Sequence, residues 1–222
     1  VVDAKIYLLH VISKNKDIKE AEAKLKEIVE ANKQQNIEII PKVRLGTIFE
    51  DIGDFAAEHH AELIFMGTHG AAGWQHIAGS YALKVITNSS VPFVIVQKET
   101  QIGSNGYDNI VVPLDLHRET KQKLAIVASM AKYFKSRVHV VTPNETDEFL
   151  KNKVDANVLF AKRFFEEREI EMTVTVAPSN GFDKEVVKIA IEKDADLISI
   201  MNLNKNNLFS SAFNTNYEQY MI

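Results

Sequence analysis

The sequence predicts an α/β protein built on doubly wound parallel sheets, and three observations carry that expectation. Short apolar runs of strand length alternate with segments whose apolar residues recur at helical spacing. The alternation restarts in the same order after residue 108. The letters repeat as well: Ala61-Glu62-Leu63-Ile64 aligns with Ala195-Asp196-Leu197-Ile198, 134 positions later, and Gly46 aligns with Gly181. We therefore expect two copies of one unit, at residues 1–98 and 109–222, joined by a linker over 99–108.

The first unit opens with Lys5–Val11, an almost continuous apolar run that suits a strand buried on both faces. Asp17, with Glu20 three residues later, resembles an Asp form of the capping box. Ile18, Ala21, Leu25, Ile28 and Val29 follow at helical spacing, which predicts a helix over 18–33. Ile37, Ile39, Val43 and Leu45 alternate with polar residues or Pro41, a strand near a sheet edge. Phe49, Ile52, Phe55 and Ala56 mark a second helix. Leu63–Met66 reads as a second buried strand running into the glycine loop Gly67-Thr68-His69-Gly70. A helix near Ser80–Thr87 and the apolar strand Val91–Val96 follow.

Residues 98–108 lack periodicity and contain an Asn-Gly pair, the composition of a connection. The second unit begins with Ile110-Val111-Val112-Pro113-Leu114-Asp115, a buried strand ending in an acid. Residues 120–134 should form a helix with Leu124, Val127, Ala128, Ala131 and Phe134 on one face. Val138–Val141 is a strand, and Val154, Val158, Ala161 and Phe165 line the next helix. Ile170, Met172, Val174 and Val176 alternate as a strand. Val186, Val187 and Ala190 lie on a helix ahead of Leu197-Ile198.

Composition narrows the function classes. With 45% hydrophobic and 25% charged residues the chain has the balance of a folded, water-soluble domain. No apolar run reaches the ~18–20 residues of a membrane-spanning helix. The absence of cysteine removes disulfides, thiolate metal sites and a Cys nucleophile together, and fits a cytoplasmic location. A net charge of −4 gives no reason to expect nucleic-acid binding. Walker, dinucleotide and nucleophile-elbow motifs are absent, and no pair of acids is placed for proton transfer, so we expect no enzyme beyond feeble ATP hydrolysis.

Met66-Gly67-Thr68-His69-Gly70 followed by Gly79-Ser80, in a strand–loop–helix context, resembles the nucleotide loop of the universal stress proteins. Leu9-His10-Val11, Val91–Val96 and Val112-Pro113-Leu114-Asp115 look like strands of the same family. The resemblance implies a five-stranded, Rossmann-like sheet of the adenine nucleotide alpha hydrolase type in tandem. It also implies ATP or another adenine nucleotide, with or without Mg²⁺, held by Val11, Gly67, Thr68, His69, Gly70, Gly79 and Ser80. Glycines let backbone amides approach phosphate oxygens, and a helix N-terminus favours the anion. Eight residues separate Gly70 from Gly79, where the family pattern has nine, and the second unit has no glycine after Gly181. We read that second unit as degenerate.

The same resemblance places the missing first strand, with the family's Asp, ahead of Ala4, and pairs domains through strand 91–96, within the chain or between two chains. Its functional implication is a stress-response regulator that acts by ligand-dependent association; the alternative is a protein-interaction adaptor that binds no nucleotide. Among the remaining residues, His59 and His60 read as solvated, His10 as a packed core histidine, and Trp74 as an anchor of the glycine loop. Lys14, Lys16 and Lys19 read as a solvated surface.

Overall fold

The structure, a computed structural model, describes residues 4–33, 37–67, 85–96 and 106–201. The chain divides into two units, Val1–Lys98 and Glu99–Ile222.

In unit 1 the β-branched and aromatic runs form strands that pair in parallel. β1 (Lys5–Ile12) pairs with β2 (Glu38–Leu45), from Lys5 opposite Glu38 to Ile12 opposite Leu45. The crossover between them is α1 (Ile18–Ala31), which turns Ala21 and Leu25 inward. Pro41 fits β2 because, among the described residues, that strand pairs on one side only, where a missing N–H costs little. Asp17 stands at the N-cap of α1, but its side chain makes no capping bond. A 3-10 turn, Asn15–Asp17, runs straight into the helix and leaves Asp17 in helical geometry, while Glu20 pairs with Lys24 at 2.6 Å.

Helix α2 (Ile48–Glu58) is capped more firmly. The Asp51 carboxylate accepts the Thr47 amide at 2.7 Å while the Asp51 amide donates to the Thr47 carbonyl at 3.0 Å. The side-chain bond is half of a capping box, displaced by one residue, and the amide-to-carbonyl bond is the first ordinary turn of the helix. That carboxylate folds over Gly46, where a side chain would overlap it, and also accepts Arg44 Nε at 2.7 Å. Arg44 reaches on to Glu58, tying β2 to both ends of α2. β3 (Ile64–Gly67) then pairs in parallel with β4 (Phe93–Val96). The described residues of unit 1 thus form two two-stranded sheets, β1-β2 and β3-β4, where the sequence predicted one five-stranded sheet.

Unit 2 contains β5 (Asn109–Pro113), α3 (Leu124–Phe134), β6 (Arg137–Asn144), α4 (Glu148–Glu166), β7 (Met172–Pro178), α5 (Phe182–Glu192) and β8 (Leu197–Ile198). Its four described strands are parallel in the order β7-β6-β5-β8. Alternation along β5 and β6 decides the layers. Ile110, Val112, Val138 and Val140 pack with Leu124, Val127, Ala161 and Phe165 of α3 and α4. Val111 and Val141 point the other way, against Phe182, Val186 and Ile189 of α5. Helix α3 begins later than the periodicity predicts because Arg118–Lys121 form a separate 3-10 turn. Asp147, which the sequence reading passed over, caps α4 by accepting the Leu150 amide at 2.9 Å.

Helices α2 and α5 end in the same way. His60 and Asp194 adopt left-handed φ of 51° and 50°. The next amides close the turn, Ala61 to the Ala56 carbonyl at 2.8 Å and Ala195 to the Ala190 carbonyl at 2.9 Å. This is a Schellman-type end, and it delivers the chain into β3 and β8 respectively.

Four sequence expectations change. Residues 106–108, read as linker, pack with unit 2: the Tyr107 ring meets Phe134 edge-on at 5.1 Å, and Ser136 donates its hydroxyl to the Tyr107 carbonyl. β1 and β3 are not buried strands; Ile6 is 45% and Phe65 62% exposed, since among the described residues each pairs on one side only. For the same reason His10 is exposed, not packed in a core. His59 is not a solvated histidine: its ring stacks on Phe55 at 3.9 Å and meets Tyr7 edge-on at 4.8 Å.

Candidate functional site

In open parallel sheets the strand C-terminal ends, where loops lead into helices, are the usual seat of ligands. Two of the residues predicted for the site lie at such ends. Val11 is the penultimate residue of β1, half-buried and opposite Arg44 of β2. Gly67 closes β3 opposite Val96. Thr68, His69, Gly70, Gly79 and Ser80 lie outside the described residues, as do Trp74 and His76.

Gly67 is informative because packing among the described residues does not explain it. Among the described residues, a side chain there would meet nothing nearer than the Val96 carbonyl, at 3.9 Å, an ordinary contact. Its backbone is not in the left-handed region either. Gly46 is the contrast, since the Asp51 cap occupies the space of its side chain. Lys14, Lys16 and Lys19 follow β1 and are exposed.

In unit 2 the loop after β5 carries Asp115, and its polar groups are engaged with one another. The His117 amide donates to Asp115 Oδ1 at 2.8 Å. Asn157, buried on α4, donates to the Asp115 carbonyl at 2.7 Å and to the His117 carbonyl at 3.1 Å. Lys123 sends its buried ammonium to the Pro113 carbonyl at 2.6 Å, and the Thr120 hydroxyl donates to the His117 carbonyl at 2.7 Å. Burial pushes the Asp115 carboxyl up, against the lowering pull of the His117 amide and of the His117 and Lys123 charges.

The sequence reading did not find Lys123 or Asn157. Asn157 had a signal: it falls between Val154 and Ala161 on the inward stripe of α4, a polar residue at an apolar position.

A surface hollow in unit 2, lined by Lys135, Ser136, Arg137, Arg168, Ile170 and Glu171 among others, lies at the N-terminal ends of β6 and β7. It is at the wrong end of the sheet, and two of its charges are paired, Arg137 with Glu171 and Arg168 with Glu167. Among the described residues no group of three or more acidic or histidine side chains could hold a metal, and no helix is long and apolar enough to cross a membrane.

The geometry defines a class: parallel α/β units whose candidate ligand residues stand at strand C-terminal ends. Residues 2–97 match the family model of the universal stress protein family. A universal stress protein from Archaeoglobus fulgidus DSM 4304 is similar in structure, with a TM-score of 0.70 at 18% identity, covering 98% of this chain and 81% of that one. A functionally unknown protein from Pseudomonas aeruginosa PAO1 gives a TM-score of 0.60 at 13% identity, over 94% of this chain and 75% of that one. A universal stress protein solved in complex with cAMP covers 48% of this chain with a TM-score of 0.36 at 16% identity, a likeness that carries no argument about ligands here. No curated protein matches the sequence.

Proposed function

We propose that the chain is a tandem universal stress protein whose first unit binds an adenine nucleotide and whose second does not, and that it acts by ligand-dependent association, not turnover. The observation that carries the reading is Gly67: a glycine at a strand C-terminal end whose identity no contact among the described residues requires. Close approach of a ligand to the backbone supplies the missing reason. Val11 stands at the corresponding end of β1, where a base could pack. Thr68, His69, Gly70, Gly79 and Ser80 join the site on the strength of the sequence resemblance, with phosphates on the amides of the glycine loop. Strand 91–96, which includes β4, is the proposed pairing surface between domains.

The tandem reading is supported by the shared ends of α2 and α5 and by the repeated Ala-acid-Leu-Ile that follows them. Degeneracy of the second unit is supported by its closed loop. With the carbonyls of Pro113, Asp115 and His117 already taken by Lys123 and Asn157, that loop is tied to its own scaffold. The same loop favours the second reading, an adaptor with no nucleotide at all.

Calorimetric titration of the chain with ATP and Mg²⁺ separates the two. One saturable site per chain, lost in Gly67→Val while circular dichroism is unchanged, is the expected result. Two sites overturn the degeneracy of unit 2. Absence of binding to the folded wild-type chain overturns nucleotide recognition and leaves the adaptor.

A further inference from the structure

Helix α4 of unit 2 carries two stripes. Val154, Asn157, Ala161 and Phe165 face inward and pack the helix on its sheet. One residue before each of these stand Lys153, Ala156, Phe160 and Phe164, with Phe149 one turn earlier. That second stripe lies about 100° around the helix from the first. Phe164 leans on the core, but Phe149 is 66% and Phe160 45% exposed. Single exposed apolar residues such as Ile191 are ordinary on a protein surface. A row of three rings, about 22 Å long at the helical rise, is not.

Each ring has a cation over it. Lys153 Nζ lies 4.4 Å from the centre of the Phe149 ring, and the Arg168 guanidinium carbon lies 3.7 Å from that of Phe164. Lys121, from the 3-10 turn ahead of α3, places Nζ 4.7 Å from the centre of Phe160. Phe160 and Phe164 stack on each other at 6.0 Å. Among the described residues neither Lys121 nor Lys153 pairs with an acid, while Arg168 has Glu167 at 3.6 Å. A ring face attracts a cation without neutralising it. The acids Glu148, Asp155 and Glu166 of the same helix fall about 100° or more from the rings. The result is a positive, aromatic strip on a chain whose net charge is −4.

We propose that this face of α4, with the adjoining turn at Lys121, binds an acidic peptide segment that carries apolar anchors at helical spacing. Its apolar side chains pack on the Phe149 and Phe160 rings, and its carboxylates pair with Lys121, Lys153 and Arg168. Charge argues for the acidic partner, because it gives the two lysines the counter-charge that they lack. The ring arrangement argues for a peptide over a nucleic acid, because the cations and the Phe160–Phe164 stack leave little open ring face for a base. The face lies wholly in unit 2, so it stands apart from nucleotide binding in unit 1.

The test titrates the full 222-residue chain into a fluorescein-labelled peptide made of four Leu-Glu-Glu-Phe repeats and follows anisotropy and amide hydrogen exchange. The expected result is saturable one-to-one binding with slowed exchange confined to residues 118–124 and 148–166. Peptides with Gln for every Glu, or Ser for every Leu and Phe, should not bind. The double substitution Phe149→Ser and Phe160→Ser should raise the Kd at least tenfold, as should Lys121→Glu with Lys153→Glu. Circular dichroism should be unchanged in both. Lys121→Arg with Lys153→Arg should bind like the wild type. Absence of binding, equal binding of the Ser-substituted peptide, or variants that bind like the wild type overturn the proposal. Tighter capture of an oligothymidylate or of phosphatidylserine vesicles, lost in the same variants, overturns the peptide in favour of a nucleic acid or a lipid surface. A dimer in light scattering that Phe149→Ser with Phe160→Ser dissociates overturns it in favour of a second copy.

Discussion

β1 and β6 are strands of equal length in two settings. Each is an eight-residue strand followed by a helix and a parallel partner, and each carries apolar side chains at half or more of its positions. β6 has a strand on both sides and buries Val138, Val140 and Val141 completely; β1 has one neighbour among the described residues and leaves Ile6 nearly half exposed. Burial of a strand is therefore a property of its neighbours, and apolar sequence supplies only the capacity for it. The rest of each unit follows suit. Unit 2 builds apolar layers on both faces of its sheet, whereas the described part of unit 1 leans on α1, α2 and the Arg44–Asp51–Glu58 ion network.

The largest effect that would break this comparison is core truncation. Phe165→Ala, at a fully buried ring in α4, should cost about 3–5 kcal/mol by urea denaturation. Ile6→Ala in β1 should cost about 1 kcal/mol or less, because its side chain has little transfer free energy left to lose. Equal costs would mean that β1 is covered in solution.

Next come the buried polar contacts. Asn157→Leu removes the donor to two loop carbonyls and should cost about 1–3 kcal/mol. Asp196→Ala leaves two amides at the start of β5 without an acceptor and should cost a similar amount. Hydrogen exchange at residues 108 and 109 would locate the Asp196 effect.

A pH series sharpens the contrast further. His139 of β6 is clamped across the sheet: Nε2 donates to Asn109 Oδ1 at 3.0 Å, and the Thr173 hydroxyl donates to Nδ1 at 2.8 Å. Burial first, then the Lys193 and Arg137 charges, hold its pKa below the ordinary value. The neutral ring is thus the folded form. Its contribution is complete above the unfolded pKa of about 6.5 and is lost as pH falls through the depressed folded value. The urea midpoint of unit 2 should fall between pH 7.5 and 5 in the wild type, and the slope should shrink in His139→Gln.

The smallest effect belongs to the surface of unit 1. The Arg44 guanidinium lies between Asp51 and Glu58. The Asp51 carboxyl is held below its ordinary pKa by the Thr47 amide first and by Arg44 second. Arg44→Met should lower the unit 1 melting temperature slightly at low salt, and 1 M NaCl should erase most of the difference.

Much of the fold was legible in the letters. Helical spacing located α1, α2 and α5 within a few residues, and the recurrence of Ala-acid-Leu-Ile marked the two equivalent helix exits. The linker reading ran too far because Gly106 resembles a loop residue, while Tyr107 beside it reaches the Phe134 ring through space. The closed loop of unit 2 was half legible. Asp115 was visible at the end of an apolar run, but Asn157 reaches it from a helix more than forty positions away, a contact that no local pattern encodes.

The sequence by itself determined which segments become strands and helices, because side-chain period and backbone capping are local properties. It also determined where glycine had to be, as at Gly46 under the Asp51 cap. Only the tertiary structure decided which strands are interior, which apolar residues face water, and which acids hold a neighbouring strand. Those depend on hydrogen-bond partners brought from far along the chain, and a strand's own letters cannot say whether its second edge is met.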